Sequence, residues 1–176
     1  MTPRIRKLIL AVHITVSVGW IGAVAAYIAL DVTAAASRDP QTLRAGYLGM
    51  DLIARSVIVP LALAALITGL IIALGTKWGL FRHYWVLISL VLTTLSTVVL
   101  LIETQTISTL AELAASPSTS DDELRSLGST LAHSIGGSLV LLSVLVLNMY
   151  KPRGLTRYGW RKQVERREQK EVPTEI

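Results

Sequence analysis

Four apolar runs, each close to the length of a membrane-spanning helix, constrain this chain more than any other feature. They lie at about Ile5 to Leu30, Leu52 to Leu74, Tyr84 to Thr104 and Leu124 to Tyr150. An α-helix needs about 20 apolar residues to cross a hydrocarbon core about 30 Å thick. Backbone exposed to lipid must satisfy its own N–H and C=O groups, so each run is expected to be helical. Only 16% of the 176 residues are charged and 52% are hydrophobic, whereas a soluble domain carries about 25% charged residues. The predicted fold is all-α: a four-helix transmembrane bundle over residues 1–150, followed by a basic cytoplasmic tail over 151–176. The chain has no cysteine, which excludes disulfide frameworks and thiolate metal sites.

Basic residues set the expected orientation. Arg4, Arg6 and Lys7 precede the first run, Lys77 and Arg82 separate the second and third, and Lys151, Arg153, Arg157, Arg161 and Lys162 follow the fourth. The positive-inside rule places these ends, and both termini, in the cytoplasm. The chain therefore reads as a multi-pass protein of a plasma membrane, with the bacterial cytoplasmic membrane as the expected location. A secretory signal is the competing reading of the first run, since "RIRK" precedes it and "TAAAS" follows. That run is longer than the about 7 to 15 residues of a signal core, and three further spans follow it.

The connecting segments have their own expectations. "SRDPQTLRAGYLG" and "SPSTSDDE" read as external loops, and Ser120-x-x-Glu123 as a capping box opening the fourth helix. "GTKWGLFRHYW" reads as a tight internal turn with Trp78, Tyr84 and Trp85 at headgroup level and His83 as an interfacial residue. Lys151 and Pro152 should end the last span. The partners expected are the bilayer itself, anionic lipids at the basic tail at about 1 kcal/mol per close charge, and either a membrane-protein partner or a second copy of the chain. Topology already accounts for the tail's charge, so no nucleic-acid partner is expected.

Polar residues inside the spans mark the candidate sites, because an unpartnered ionisable group at membrane depth costs about 2.5 kcal/mol or more. His13, Trp20 and Tyr27 fall on one line of a helix, with Ser17 and Asp31 beside it. Ser89, Ser96 and Glu103 form a second stripe with Thr93, and Ser129, His133 and Gly137 a third with Gly136. The glycines predict close helix approach around a buried His133. At about 1.5 Å of rise per residue, Glu103 and His133 reach roughly 24 to 29 Å from the cytoplasmic edge but His13 only roughly 8 Å, which disfavours a haem clamped by both histidines. Asp31, Asp51, Arg55, Glu103 and His133 are expected to converge as a polar cluster near the outer leaflet, beside a helix kinked at Pro60. The alternative is that Asp51 and Arg55 pair at the interface. His133 with Glu103 would suit copper or zinc. No phosphate-binding loop, zinc-protease helix or nucleophile elbow occurs.

The same residues carry a family resemblance. The H-x6-W spacing of His13 and Trp20 with Tyr27, "VIVPLALAALITGL" with Pro60 and Gly69, and "RHYWVLISLVLT" resemble the core helices of HemJ-type protoporphyrinogen oxidases and of copper-resistance D membrane domains, as far as Gln105. "TKWGLFRHYWVL" and "YKPRGLTRYGWRK" resemble four-helix integral membrane proteins of the actinobacterial type, a likeness over nearly the whole chain that brings no activity with it. The first resemblance implies a haem b held by His13, with Trp20 and Ser17 in its pocket, and redox chemistry on a porphyrinogen. That pattern has a lysine where this chain has Ser89, and a hydroxyl cannot replace a cation that holds a propionate or moves a proton. The other reading of His13 is a hydrogen bond to a neighbouring helix. Three classes stay open: a haem-binding or redox-linked membrane protein, a copper- or zinc-related one, and a non-catalytic accessory or scaffold subunit.

Overall fold

The computed structural model describes residues 1–76 and 79–171, with Lys170 and Glu171 described by backbone alone. Its helices are α1 (Pro3–Ala36), α2 (Pro40–Ile53), α3 (Val59–Gly75), α4 (Tyr84–Ala115), α5 (Asp121–Ser126), α6 (Leu131–Tyr150) and α7 (Arg157–Glu171). A π turn, Ala54–Ile58, joins α2 to α3 without a break. Four segments are long and apolar enough to cross a membrane, as in a multi-pass membrane protein: Pro3–Ala36, Pro40–Gly75, Tyr84–Ala115 and Asp121–Tyr150. Both α1 and α3 pack along each other, α4 packs on α2 and α3, and α6 lies against α1 and α4. The start of α1 and the end of α6 fall at one end of this bundle, here the termini end; the Ser37–Asp39 link and residues 116–130 form the loop end.

Besides α1, which runs to Ala36 rather than Leu30, three boundaries differ from the sequence expectation. The "SRDPQTLRAGYLG" segment is helix from Pro40 onward rather than an external loop, and α2 begins well before Leu52. Asp39 caps it, accepting from the Thr42 N–H at 3.0 Å and the Thr42 hydroxyl at 2.7 Å, with Pro40 at the first helical position. Those bonds from Thr42 hold the Asp39 carboxyl below its ordinary range. Leu43, Tyr47 and Met50 then recur at helical spacing and are buried, so a polar-looking stretch has a core face. In the same way α4 runs past Thr104 to Ala115, because Ile107, Ala111 and Ala114 continue its buried side. The third difference lies before the last span: Ser120 does cap a helix, accepting from the Glu123 N–H at 3.3 Å, but that helix is the short α5. The chain leaves helix over residues 127–130 and re-enters it at Leu131.

The kink expected at Pro60 takes the form of the π turn just before it. Pro60 has no N–H to give the carbonyl one turn back. The Val59 N–H donates to the Ala54 carbonyl, five residues earlier, so the extra residue is absorbed as a π register.

At the termini end, Lys151 takes a left-handed conformation with φ 44° and ends α6 before Pro152. Thr156 then ties α7 to the turn before α4. Its N–H donates to the Arg82 carbonyl at 3.0 Å, its hydroxyl to the Phe81 carbonyl, and its Oγ1 accepts from the Gly159 N–H at 3.0 Å. A Cβ on Gly159 would stand 2.3 Å from the Arg82 carbonyl oxygen, so only glycine allows this approach. Trp85 is buried rather than held at a headgroup level, while Tyr84 is exposed; Trp78 lies outside the described residues.

Candidate functional site

The α1 stripe does face protein: Trp20, Val24, Tyr27 and Asp31 are all buried. His13, nearer the termini end, is half-buried against α3. Its Nδ1 lies 2.9 Å from Thr68 Oγ1, and the Thr68 proton is directed at the Ala64 carbonyl at 2.6 Å, so the imidazole N–H donates to the hydroxyl. Gly69 makes the room, since a Cβ there would stand 3.1 Å from His13 Cε1. Ser17 is half-buried one turn on.

Trp20 belongs to a different environment. Between α1, α4 and α6 lies a cavity of about 450 Å3 that Trp20, Tyr27, Glu103, Thr130, His133 and Gly137 help to line. Ala54 and Ile58 of the π turn close its back. Neither His13 nor Ser17 reaches it. The set that the resemblance marks for a haem is thus divided between a packed interface and a cavity, and the residues present do not enclose one macrocycle.

His133 is not buried, as the small residues beside it predict, but has a side chain 60% exposed at the edge of this cavity. The reason is in the glycines. A Cβ built on Gly136 or Gly137 meets nothing within 4 Å, so α6 stands off from its neighbours and the missing side chains become open space. Helix-spaced residues of α4, Ser96, Glu103, Thr104 and Ile107 among them, face that gap. The Glu103 side chain is 24% exposed, and its Oε2 lies 3.6 Å from His133 Nδ1.

A hydrogen-bonded chain runs from the cavity wall into the bundle. Tyr27 Oη lies 2.8 Å from Thr130 Oγ1, Thr130 Oγ1 donates to Asp31 Oδ2 at 2.6 Å, and Ser129 Oγ donates to Asp31 Oδ1 at 3.0 Å. The Thr130 hydroxyl has one proton, and the carboxylate takes it. Tyr27 must therefore donate to Thr130, which leaves the phenol oxygen with lone pairs only for the cavity. Asp31 itself is 2% exposed.

The five-residue cluster expected from the sequence accordingly resolves into three sets. Asp31 is held by hydroxyls, Glu103 stands by His133, and Asp51 pairs with Arg55 at 2.8 Å, with Ser108 Oγ 2.5 Å from the same Asp51 oxygen and 2.7 Å from Arg55 Nε. The Arg55 side chain is 54% exposed and that of Asp51 26%, so Arg55→Ala is expected to cost under about 1 kcal/mol. Thermal denaturation in mild detergent checks this; a loss of several kcal/mol would show a desolvated pair instead.

Reading "SRDPQTLRAGYLG" as an external loop gave its Arg44 no role. That residue is half-buried, and its guanidinium donates to the carbonyls of Ala114 at 2.5 Å, Ser116 at 2.9 Å and Thr119 at 2.9 Å, closing the C-terminus of α4. The signal that could have found it is Asp39-Pro40, which starts a helix and carries Arg44 with it. Among the described residues no three His, Cys, Asp or Glu side chains stand close enough to hold a metal ion, so copper or zinc at His133 and Glu103 would need donors from elsewhere. Comparison with family models, with curated proteins and with solved structures gives no match.

Proposed function

We propose that this chain is a multi-pass membrane protein that binds an amphipathic small molecule taken from the bilayer. On the positive-inside reading both termini are cytoplasmic and the cavity lies in the outer half of the membrane. One observation carries the proposal: a cavity of about 450 Å3, mostly apolar, with Glu103, Tyr27, Thr130 and His133 gathered on its lining. Binding sites for small molecules have this size and this ratio of apolar wall to placed polar groups. Ionisable residues at such depth are costly, and those that occur mark functional sites. The exposed His133 marks the side on which a lipid-soluble molecule would enter. At the other end, Arg157, Arg161 and Lys162 of α7, with exposed Tyr158 and Trp160, are suited to anionic headgroups.

Gly137→Leu tests the cavity. The new side chain has open space to fill, so the variant is expected to fold at least as stably as the parent. Mass spectrometry of protein extracted in native-lipid discs is expected to find a small molecule on the parent and none on Gly137→Leu. Equal occupancy of both would overturn the proposal. The same preparation separates the other readings. A Soret band lost in His13→Ala would put a haem at the α1–α3 interface, bound copper or zinc lost in Glu103→Gln would mark a metal protein, and an empty parent held by a protein partner would mark an accessory subunit.

A further inference from the structure

We infer that the cavity selects a lipophilic cation, an inference that rests on the binding reading above and specifies the ligand's chemistry. The lining contains the Glu103 carboxylate and no Lys or Arg. Behind the wall, Asp31 adds a second carboxylate, and among the described residues it makes no ion pair; two hydroxyls hold it. The nearby arginine, Arg55, is committed to Asp51, and Arg44 to the end of α4. His133, 60% exposed and 3.6 Å from Glu103, is the single basic group on the lining, and no Lys or Arg there compensates that carboxylate.

The hydrogen bonds point the same way. The Tyr27 proton is used on Thr130, the Thr130 proton on Asp31, and the Thr104 hydroxyl donates to the Leu100 carbonyl at 2.7 Å. Together with Glu103, these oxygens offer the cavity lone pairs and not protons, and Ser134 likewise spends its proton on the Leu131 carbonyl at 3.2 Å, which leaves Ser96 and His133 as the donors on the lining. An anionic or acceptor-rich head group would meet carboxylate and hydroxyl lone pairs there; a cation would meet complementary charge. Trp20 and Tyr27 supply aromatic rings to the same lining, and aromatic faces attract cations, Trp most strongly. The apolar remainder excludes a small hydrated ion and favours a cation with a hydrocarbon or aryl shell.

Three probes of one shape class test this on the full chain in zwitterionic lipid discs: tetraphenylphosphonium, tetraphenylborate and neutral triphenylmethanol. Saturable binding of the phosphonium at least about tenfold tighter than of the other two is expected. Glu103→Gln should weaken it about tenfold or more, Glu103→Asp should recover part of it, and Gly137→Leu should abolish it. If the neutral or anionic probe binds as tightly, or Glu103→Gln changes nothing while Gly137→Leu still blocks, the cation inference falls and the binding site stands. If none of the three binds saturably, both fall. The comparison of probes on the unaltered chain decides even where Glu103→Gln does not fold.

Discussion

Arg44→Ala is expected to destabilise the folded protein by about 3 kcal/mol, well beyond the effect of Arg55→Ala. The last carbonyls of a helix have no partner within it, and α4 ends where α2 passes by. Arg44 projects from α2 and gives one nitrogen to Ala114 and Ser116 and the other to Thr119. A charged donor is favourable at the negative end of a helix dipole, and a planar fork spans carbonyls that a single ammonium cannot reach together. Removing it strips three bonds and leaves half-buried acceptors; a bond to a charged donor is worth about 1.5 to 3 kcal/mol net, and water reaching the exposed part of the site offsets part of the sum. Arg44→Lys should recover less than half of the loss. Chemical denaturation in detergent, with hydrogen exchange at residues 113–120, checks both numbers. A loss under about 1 kcal/mol would mean that water satisfies those carbonyls as well as the guanidinium does.

What the sequence showed and what it hid follow from the range of the interactions. The four spans and the inward face of α1 were legible because run length and helical spacing are local properties, and Trp20, Tyr27 and Asp31 are buried as that spacing requires. The approach of Glu103 to His133 was legible too, since rise per residue puts both at one depth. Arg44 was not, because Asp39-Pro40 announces only the helix that carries it, while its acceptors lie some 70 residues away. Gly136 and Gly137 show a different limit. Small residues permit close helix contact, but whether the helices use the permission depends on where residues 127–130 hold the start of α6. Here they leave the space open, and the same two residues that predicted a tight seam line a cavity instead. Thr130 escaped notice although Ser129 beside it did not, because the stripe was drawn at the four-residue spacing Ser129, His133, Gly137, and Thr130 falls off that spacing, both residues in fact preceding α6.

Asp31→Ala is expected to cost about 3 kcal/mol as well, for the opposite reason: it removes an acceptor rather than a donor. Thr130, 7% exposed, would keep a hydroxyl proton with no carboxylate to receive it, where Asp31 itself is 2% exposed, while the exposed Ser129 turns to water. Asp31→Asn should lose about half as much, because its carbonyl oxygen still accepts from one hydroxyl while its amide must face the other. That second variant also probes the chain's direction. An amide N–H aimed at Thr130 would turn the Thr130 proton toward Tyr27, and Tyr27 would then have its own proton free for the cavity. Asp31→Asn is therefore expected to narrow the preference for tetraphenylphosphonium over triphenylmethanol while the fold, read by its thermal transition, persists. If Asp31→Asn matches the parent in both stability and probe preference, the hydroxyls have other acceptors within reach and Asp31 does not set the polarity of the wall.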